Sequence, residues 1–196
     1  MTKETKKILE NIIDELTELN YLQVEDIPDI ALYMDQVTTF MDQHLGANRR
    51  NADDKVLTKT MINNYAKNNL LPPPDKKKYT RGHLLILVFI YYFKNILSIR
   101  DIDRVLKPIT ERHFAGDKKI NIQEIYQEVS KKQMGLHLNG QDSAKEILEL
   151  ANESFAHVPK ADQEHLQLFS FICSLSFDVY MKKLLIERII DYISQE

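Results

Sequence analysis

A chain of 196 residues with 43% apolar and 28% charged side chains carries enough apolar material for one large domain or two small ones. Five glycines and six prolines leave little room for long loops or β-turns, and the single cysteine, Cys173, excludes an internal disulfide framework and fits a reducing, cytoplasmic setting. The net charge of −3 argues against bulk electrostatic binding to nucleic acid.

In chain order, Ile8, Leu9, Ile12, Ile13, Leu16 and Leu19 mark an amphipathic first helix. Residues 3–20 carry acids and have no small-residue cleavage site, so no secretory signal is expected. Asp26, Ile27 and Pro28 resemble a helix start, and 30–45 read as a second helix. The polar stretch GANRRNADD, 46–54, is a loop. A short third helix runs from Thr58 to Asn69 and is stopped by the prolines at 72–74. Residues 84–95 are apolar nearly all round, hence a buried helix too short to cross a bilayer, and no membrane partner is expected. Ser98 with Asp101 opens a helix that Pro108 closes.

The texture changes after Ala115-Gly116, which places a domain boundary there, between 1–115 and 116–196. Asn121 with Glu124 caps a helix that Gly135 ends, and Ser143 with Glu146 caps another that keeps its spacing to Phe155. From about 162 to 194 one long helix, or two joined by a kink, is apolar on most faces. It is either the core helix of a small bundle or a homodimer interface. Strand signal is confined to a few residues beside the prolines, so the fold class expected is all-α with a very short β element.

The charge is unevenly spread. From Lys55 to His83 there are six lysines, one arginine and one acid, Asp75, a local balance of +6 that leaves −9 for the rest of the chain. A basic island on an acidic body is the footprint of a face that meets phosphate. The stretch LPPPDKKKYTRGH, 71–83, is then either a solvated linker or a rigid turn holding lysines against a polyanion. On the third helix, at about 100° per residue, Met61, Ile62 and Tyr65 fall on one side. Lys59, Thr60, Asn63, Asn64 and Lys67 fall on the other, without an acid among them. Asparagine can bond adenine bidentately, threonine reaches base or phosphate, and lysine neutralises phosphate. Thr60, Asn63 and Asn64 are the candidates for base contacts. Lys59, Lys67, Lys76, Lys77, Lys78 and Arg81 are the candidates for phosphate contacts, in a helix-turn-helix with the third helix as reader.

The order Tyr65, Leu70-Leu71, Pro72-Pro73, basic residues, Tyr79-Thr80, a long apolar helix and then Leu97 to Ile102 resembles MerR-type winged helix-turn-helix domains. The stretches IPDIALYMDQVTTFMDQ and LTKTMINNY resemble more closely an uncharacterised bacterial family, known only as a domain of unknown function and regarded as MerR-like. The resemblance covers roughly residues 20–110. It implies a winged helix-turn-helix that binds double-stranded DNA, and a homodimer through a C-terminal helix. It also implies that Lys76 to Lys78 form the wing, with Tyr79 packed onto the domain and Thr80 capping the buried helix. Asn63 stands where the family commonly has an arginine and Asn69 where it has the turn glycine, and the 46–54 loop is longer than usual.

Other chemistry is not signalled. His44, His83, His113, His137, His157 and His165 show no metal-ligand spacing, and no cofactor motif, phosphate loop or nucleophile elbow appears. Cys173, among Phe171, Ile172 and Leu175, reads as a small core residue rather than a nucleophile. The expectation is a transcriptional regulator, not an enzyme, using no metal or cofactor, with any small-molecule effector unidentified. The alternative is a protein-interaction module that kept the fold and lost DNA.

Overall fold

The computed structural model describes residues 1–17, 22–51, 53–114 and 120–194, apart from the side chains of residue 48 and residues 133–138. The described residues are mostly helical: α1 (Lys3–Thr17), α2 (Met34–Leu45), α3 (Lys59–Lys67), α4 (Arg81–Phe93), α5 (Ile99–His113), α6 (Ile122–Glu153) and α7 (Lys160–Ile193). Two short strands, β1 (Leu32–Tyr33) and β2 (Lys78–Tyr79), pair antiparallel, with Leu32 opposite Tyr79 and Tyr33 opposite Lys78. Among the described residues no helix is long and apolar enough to cross a membrane.

The chain divides into two compact units. One comprises Tyr21–Ser130 with Glu187–Glu196, the other Met1–Asn20 with Lys131–Ile186. The boundary expected at Ala115-Gly116 lies outside the described residues. The first helix, expected with the N-terminal region, is grouped instead with the C-terminal helices, because its Ile13 packs on Leu148, Ala151 and Phe171.

In the Tyr21–Ser130 unit, α4 is the central element: Leu84, Leu85, Ile86, Leu87, Val88 and Ile90 are each at most 1% exposed. A helix apolar all round is stable only when wrapped on every side. Ile27, Met41, Leu45, Ile62, Leu70, Leu71, Ile102 and Tyr126 help provide that wrapping. The second helix begins later than the Asp26-Pro28 signal implied. Val24–Asp26 form only a 3-10 turn, and Leu32–Tyr33 are held extended by pairing with β2, so α2 starts at Met34. Arg49 organises the 46–54 loop, donating from its Nε to the Gly46 carbonyl (2.9 Å) and from a terminal nitrogen to the Asp54 carbonyl (3.0 Å).

Two expected helix ends are not there. Ser98 caps α5 as expected, its Oγ accepting the Asp101 N–H at 3.2 Å, but the helix runs through Pro108 to His113. Proline inside a helix costs about 3 kcal/mol. The stripe Val105, Ile109 and Phe114 packs against the core on both sides of it and offsets that cost. Asn121 and Glu124 form the expected reciprocal cap, but α6 then continues unbroken through Gly135 and across the Ser143–Glu146 pair to Glu153. One glycine costs only about 1 kcal/mol in a helix, which a 32-residue helix absorbs. Phe155, expected on the stripe of that helix, instead stands just beyond it with φ 57°.

In the other unit the buried apolar set among the described residues is small: Ile13, Leu148, Ala151 and Phe171. The buried Gln167 donates from Nε2 to the carbonyls of Asn152 and Ser154 (2.5 and 3.0 Å), tying α7 to the end of α6. The 160–193 segment is one uninterrupted helix rather than two. It packs in this unit through Gln167, Phe171 and Leu175. Cys173 lies roughly 200° round the helix from Phe171 and is exposed, not a core residue. Phe169, Ile172, Phe177, Val179, Tyr180 and Leu185 keep between 57% and 66% of their surface exposed. The Met1–Asn20, Lys131–Ile186 unit thus leaves these side chains of α7 uncovered.

Candidate nucleic-acid interface

The third helix owes its start to Thr58, whose Oγ1 accepts the Met61 N–H at 3.1 Å while its carbonyl accepts the Ile62 N–H at 3.0 Å. Ile62 and Tyr65 are buried at 0% and 6% exposure, anchoring one face in the core. Lys59, Thr60, Asn63, Asn64 and Lys67 are all exposed on the other. Met61, expected on the apolar side, sits at its edge and is 37% exposed. The acid-free face is thus presented as a continuous strip along the helix.

The helix ends before the prolines rather than at them. Asn69 adopts φ 59°, the Leu70 N–H reaches back to the Tyr65 carbonyl at 2.9 Å, and the Asn69 N–H reaches the Ala66 carbonyl at 3.2 Å. This pair of reversed bonds is a Schellman motif, in which glycine is usual and asparagine the next best residue. Asn69 therefore does the work of the glycine it replaces. Leu70 and Leu71 then plunge into the core, at 2% and 0% exposure.

Beyond the prolines, Asp75 to Lys78 close a tight turn. The Lys78 N–H donates to the Asp75 carbonyl at 2.8 Å, and the two central residues, Lys76 and Lys77, have φ 46° and 67°. Two consecutive positive φ values define a type I′ turn, which favours Asn-Gly because L side chains disfavour that conformation. Here it holds two exposed lysines. Lys78 follows in β2, its Nζ 5.1 Å from the centre of the Tyr33 ring. Tyr79 points to the core at 3% exposure, as expected.

Thr80 caps α4 as expected, through an unusual partner. The Thr80 N–H donates to His83 Nδ1 at 3.0 Å, and the Thr80 hydroxyl lies 2.8 Å from the same nitrogen. Because an amide can only donate, Nδ1 is the acceptor and the ring proton sits on Nε2, 3.4 Å from the Pro73 carbonyl. Tyr79 and Phe114 meet the ring edge-on, with centroids 5.5 and 4.7 Å away. Burial holds the His83 pKa below its ordinary value, with the proline carbonyl bonds pulling partly the other way. His83 is the pin that fastens the proline turn to the central helix.

The candidate cations fall into two groups. Lys67, Lys76 and Lys77 are exposed. Arg81 is engaged within its own unit: its Nε donates to the Ile27 carbonyl at 3.1 Å, and a terminal nitrogen lies 3.5 Å from Gln123 Oε1 and 3.6 Å from Asp29 Oδ1. Its side chain ties α4 to the 27–29 segment and to the start of α6. Lys59 is ion-paired with Asp35 in the first turn of α2. Sequence reasoning missed Asp35 and Tyr33 because their partners are distant in sequence and β1 is only two residues long. One turn of α2 and its cap thus hold Lys78 of the turn and Lys59 of the helix, which brings the two lysine groups to one neighbourhood.

No curated protein and no solved structure matches the chain. A model of a domain of unknown function matches residues 22–129, a span that holds α2 to α5 and every candidate contact residue. That span is more than half of the 196 residues, and the chain belongs to this family, the domain of unknown function DUF1836.

Proposed function

We propose that the protein is a sequence-specific double-stranded DNA-binding transcriptional regulator, built on a MerR-like winged helix-turn-helix and acting as a homodimer without metal, cofactor or enzymatic activity. The observation that carries the reading is the solvent face of α3, where five adjacent exposed side chains are lysine, threonine or asparagine and none is acidic. An ordinary solvated helix mixes in glutamate and aspartate, as α1 and α6 do here. In this reading α2 and α3 are the helix-turn-helix, with Thr60, Asn63 and Asn64 at base edges. The Asp75–Lys78 turn with the β1–β2 pair is the wing, and Lys67, Lys76, Lys77 and Lys78 meet phosphate.

The homodimer rests on the large apolar side chains of α7 that stay exposed, Phe169, Ile172, Phe177, Val179, Tyr180 and Leu185 among them, since exposed apolar surface of this kind marks interaction sites. A two-fold pair places two α3 helices on an inverted repeat. Selection from a pool of random duplexes is the test. Enrichment of one inverted repeat, lost in an Asn63→Ala, Asn64→Ala variant, supports the reading, and an unenriched pool contradicts it.

The engagement of Arg81 and Lys59 with the protein's own carbonyl and carboxylate groups favours a second reading, a protein-interaction module that kept the fold. It predicts binding to an acidic protein surface with no selectivity among duplexes.

A further inference from the structure

Opposed residues in an antiparallel pair share a face of the sheet. Leu32 and Tyr79 are opposed and both buried, at 6% and 3% exposure, so their face is the core face. Tyr33 and Lys78 are opposed on the outer face, and Tyr33 is 53% exposed. Lys78 continues directly from the Lys76-Lys77 turn, while Tyr33 is the cap residue just before α2, two positions before the Asp35 that holds Lys59. An exposed aromatic ring therefore lies beside Lys78 and two residues before the carboxylate that pairs with the first lysine of α3.

The backbone around Tyr33 is fixed independently of its side chain. Its N–H donates to Gln36 Oε1 at 2.8 Å, closing the start of α2, and the strand pairing fixes the direction of the ring. Lys78 over the ring further limits its freedom. A tyrosine so held has a hydroxyl able to donate to an anionic oxygen, and tyrosine is among the side chains that position proteins on the DNA backbone. Charge-assisted bonds of that kind are about twice as strong as neutral ones.

We propose that Tyr33 is a DNA-backbone contact, donating its hydroxyl to a phosphate that Lys78 also approaches. The inference rests on the DNA-binding reading above and adds a positioning residue that carries no base information. Tyr33→Phe removes the hydroxyl alone, keeping the ring, the strand pair and the Gln36 bond.

The experiment measures affinity for a duplex bound by the wild type, as a function of salt, for wild type, Tyr33→Phe, Tyr33→Ala and Lys78→Ala, with circular dichroism melts to show that each is folded. Tyr33→Phe is expected to weaken binding by about tenfold, as for loss of one hydrogen bond to a charged group. Its salt slope should be unchanged, since a neutral residue displaces no counterion, while Lys78→Ala lowers the slope by about 1. Wild-type affinity in Tyr33→Phe would overturn the proposal, even if Tyr33→Ala were weak, because the ring would then only be packing against Lys78. A Tyr33→Ala loss confined to single strands would overturn it in favour of base stacking. A wild type that binds no duplex would remove the DNA reading itself and this contact with it.

Discussion

The Asp75–Lys78 turn gives a prediction that separates stability from binding. Lys76 and Lys77 occupy left-handed conformations, φ 46° and 67°, which cost an L residue about 1–2 kcal/mol each. Asn-Gly fits a type I′ turn with little of that penalty. Replacing Lys76-Lys77 by Asn-Gly is therefore expected to stabilise the fold by about 1–2 kcal/mol after the greater chain entropy of glycine is deducted. For a chain of this size that corresponds to a rise in melting temperature of about 2–8 °C, read by thermal denaturation. The same variant loses two cations, so its DNA affinity should fall and the slope of log affinity against log salt should drop by about 2. A Lys76→Arg, Lys77→Arg variant keeps the strain and the charge and should change neither. A turn that is retained for its backbone alone would show the stabilisation without the loss of slope. No stabilisation in Asn-Gly would refute the argument that strain is stored at this turn.

Other expectations follow from the contacts of single residues. Arg81→Met leaves the Ile27 carbonyl without its side-chain donor and should cost about 1–3 kcal/mol in chemical denaturation while leaving the salt slope of DNA binding unchanged. Asp35→Asn releases Lys59 from its carboxylate and should tighten non-specific duplex binding by no more than about fivefold, the range of an exposed ion pair, and have no effect when Lys59 is already alanine. His83 is buried with its pKa held below the ordinary 6.5. The unfolded chain therefore takes up the proton first as pH falls, so stability is full above about 6.5 and declines below it toward the folded pKa. Denaturation at a series of pH values should show that decline, reduced in His83→Gln.

Much of this was legible because its causes are local. Thr58, Ser98 and Asn121 announce their helices through bonds that span two or three residues. The acid-free face of α3 can be counted off at the helical period, and Asn69 takes a left-handed turn that asparagine tolerates. What escaped the sequence is set at long range. A two-residue strand has no periodicity to read, and Leu32–Tyr33 are extended only because Lys78–Tyr79 lie beside them. Pro108 and Gly135 are strong breakers whose cost is outweighed by packing on one side and by helix length on the other. Arg81 stands in the basic island in sequence, but its bond to the Ile27 carbonyl, 54 residues away, has no local signal. The exposure of Cys173 depends on which stripe of an all-round apolar helix finds a neighbour, which its sequence does not specify.

The central claim is that the basic island meets DNA phosphate, and salt dependence tests it most directly. Binding of the full chain to random duplex is followed by fluorescence anisotropy across a salt series, beside a Lys76→Ala, Lys77→Ala, Lys78→Ala variant. The account predicts affinity that falls steeply with salt, with a slope reduced by about 3 in the variant. Absence of binding at low salt, or a slope the variant leaves unchanged, would contradict it.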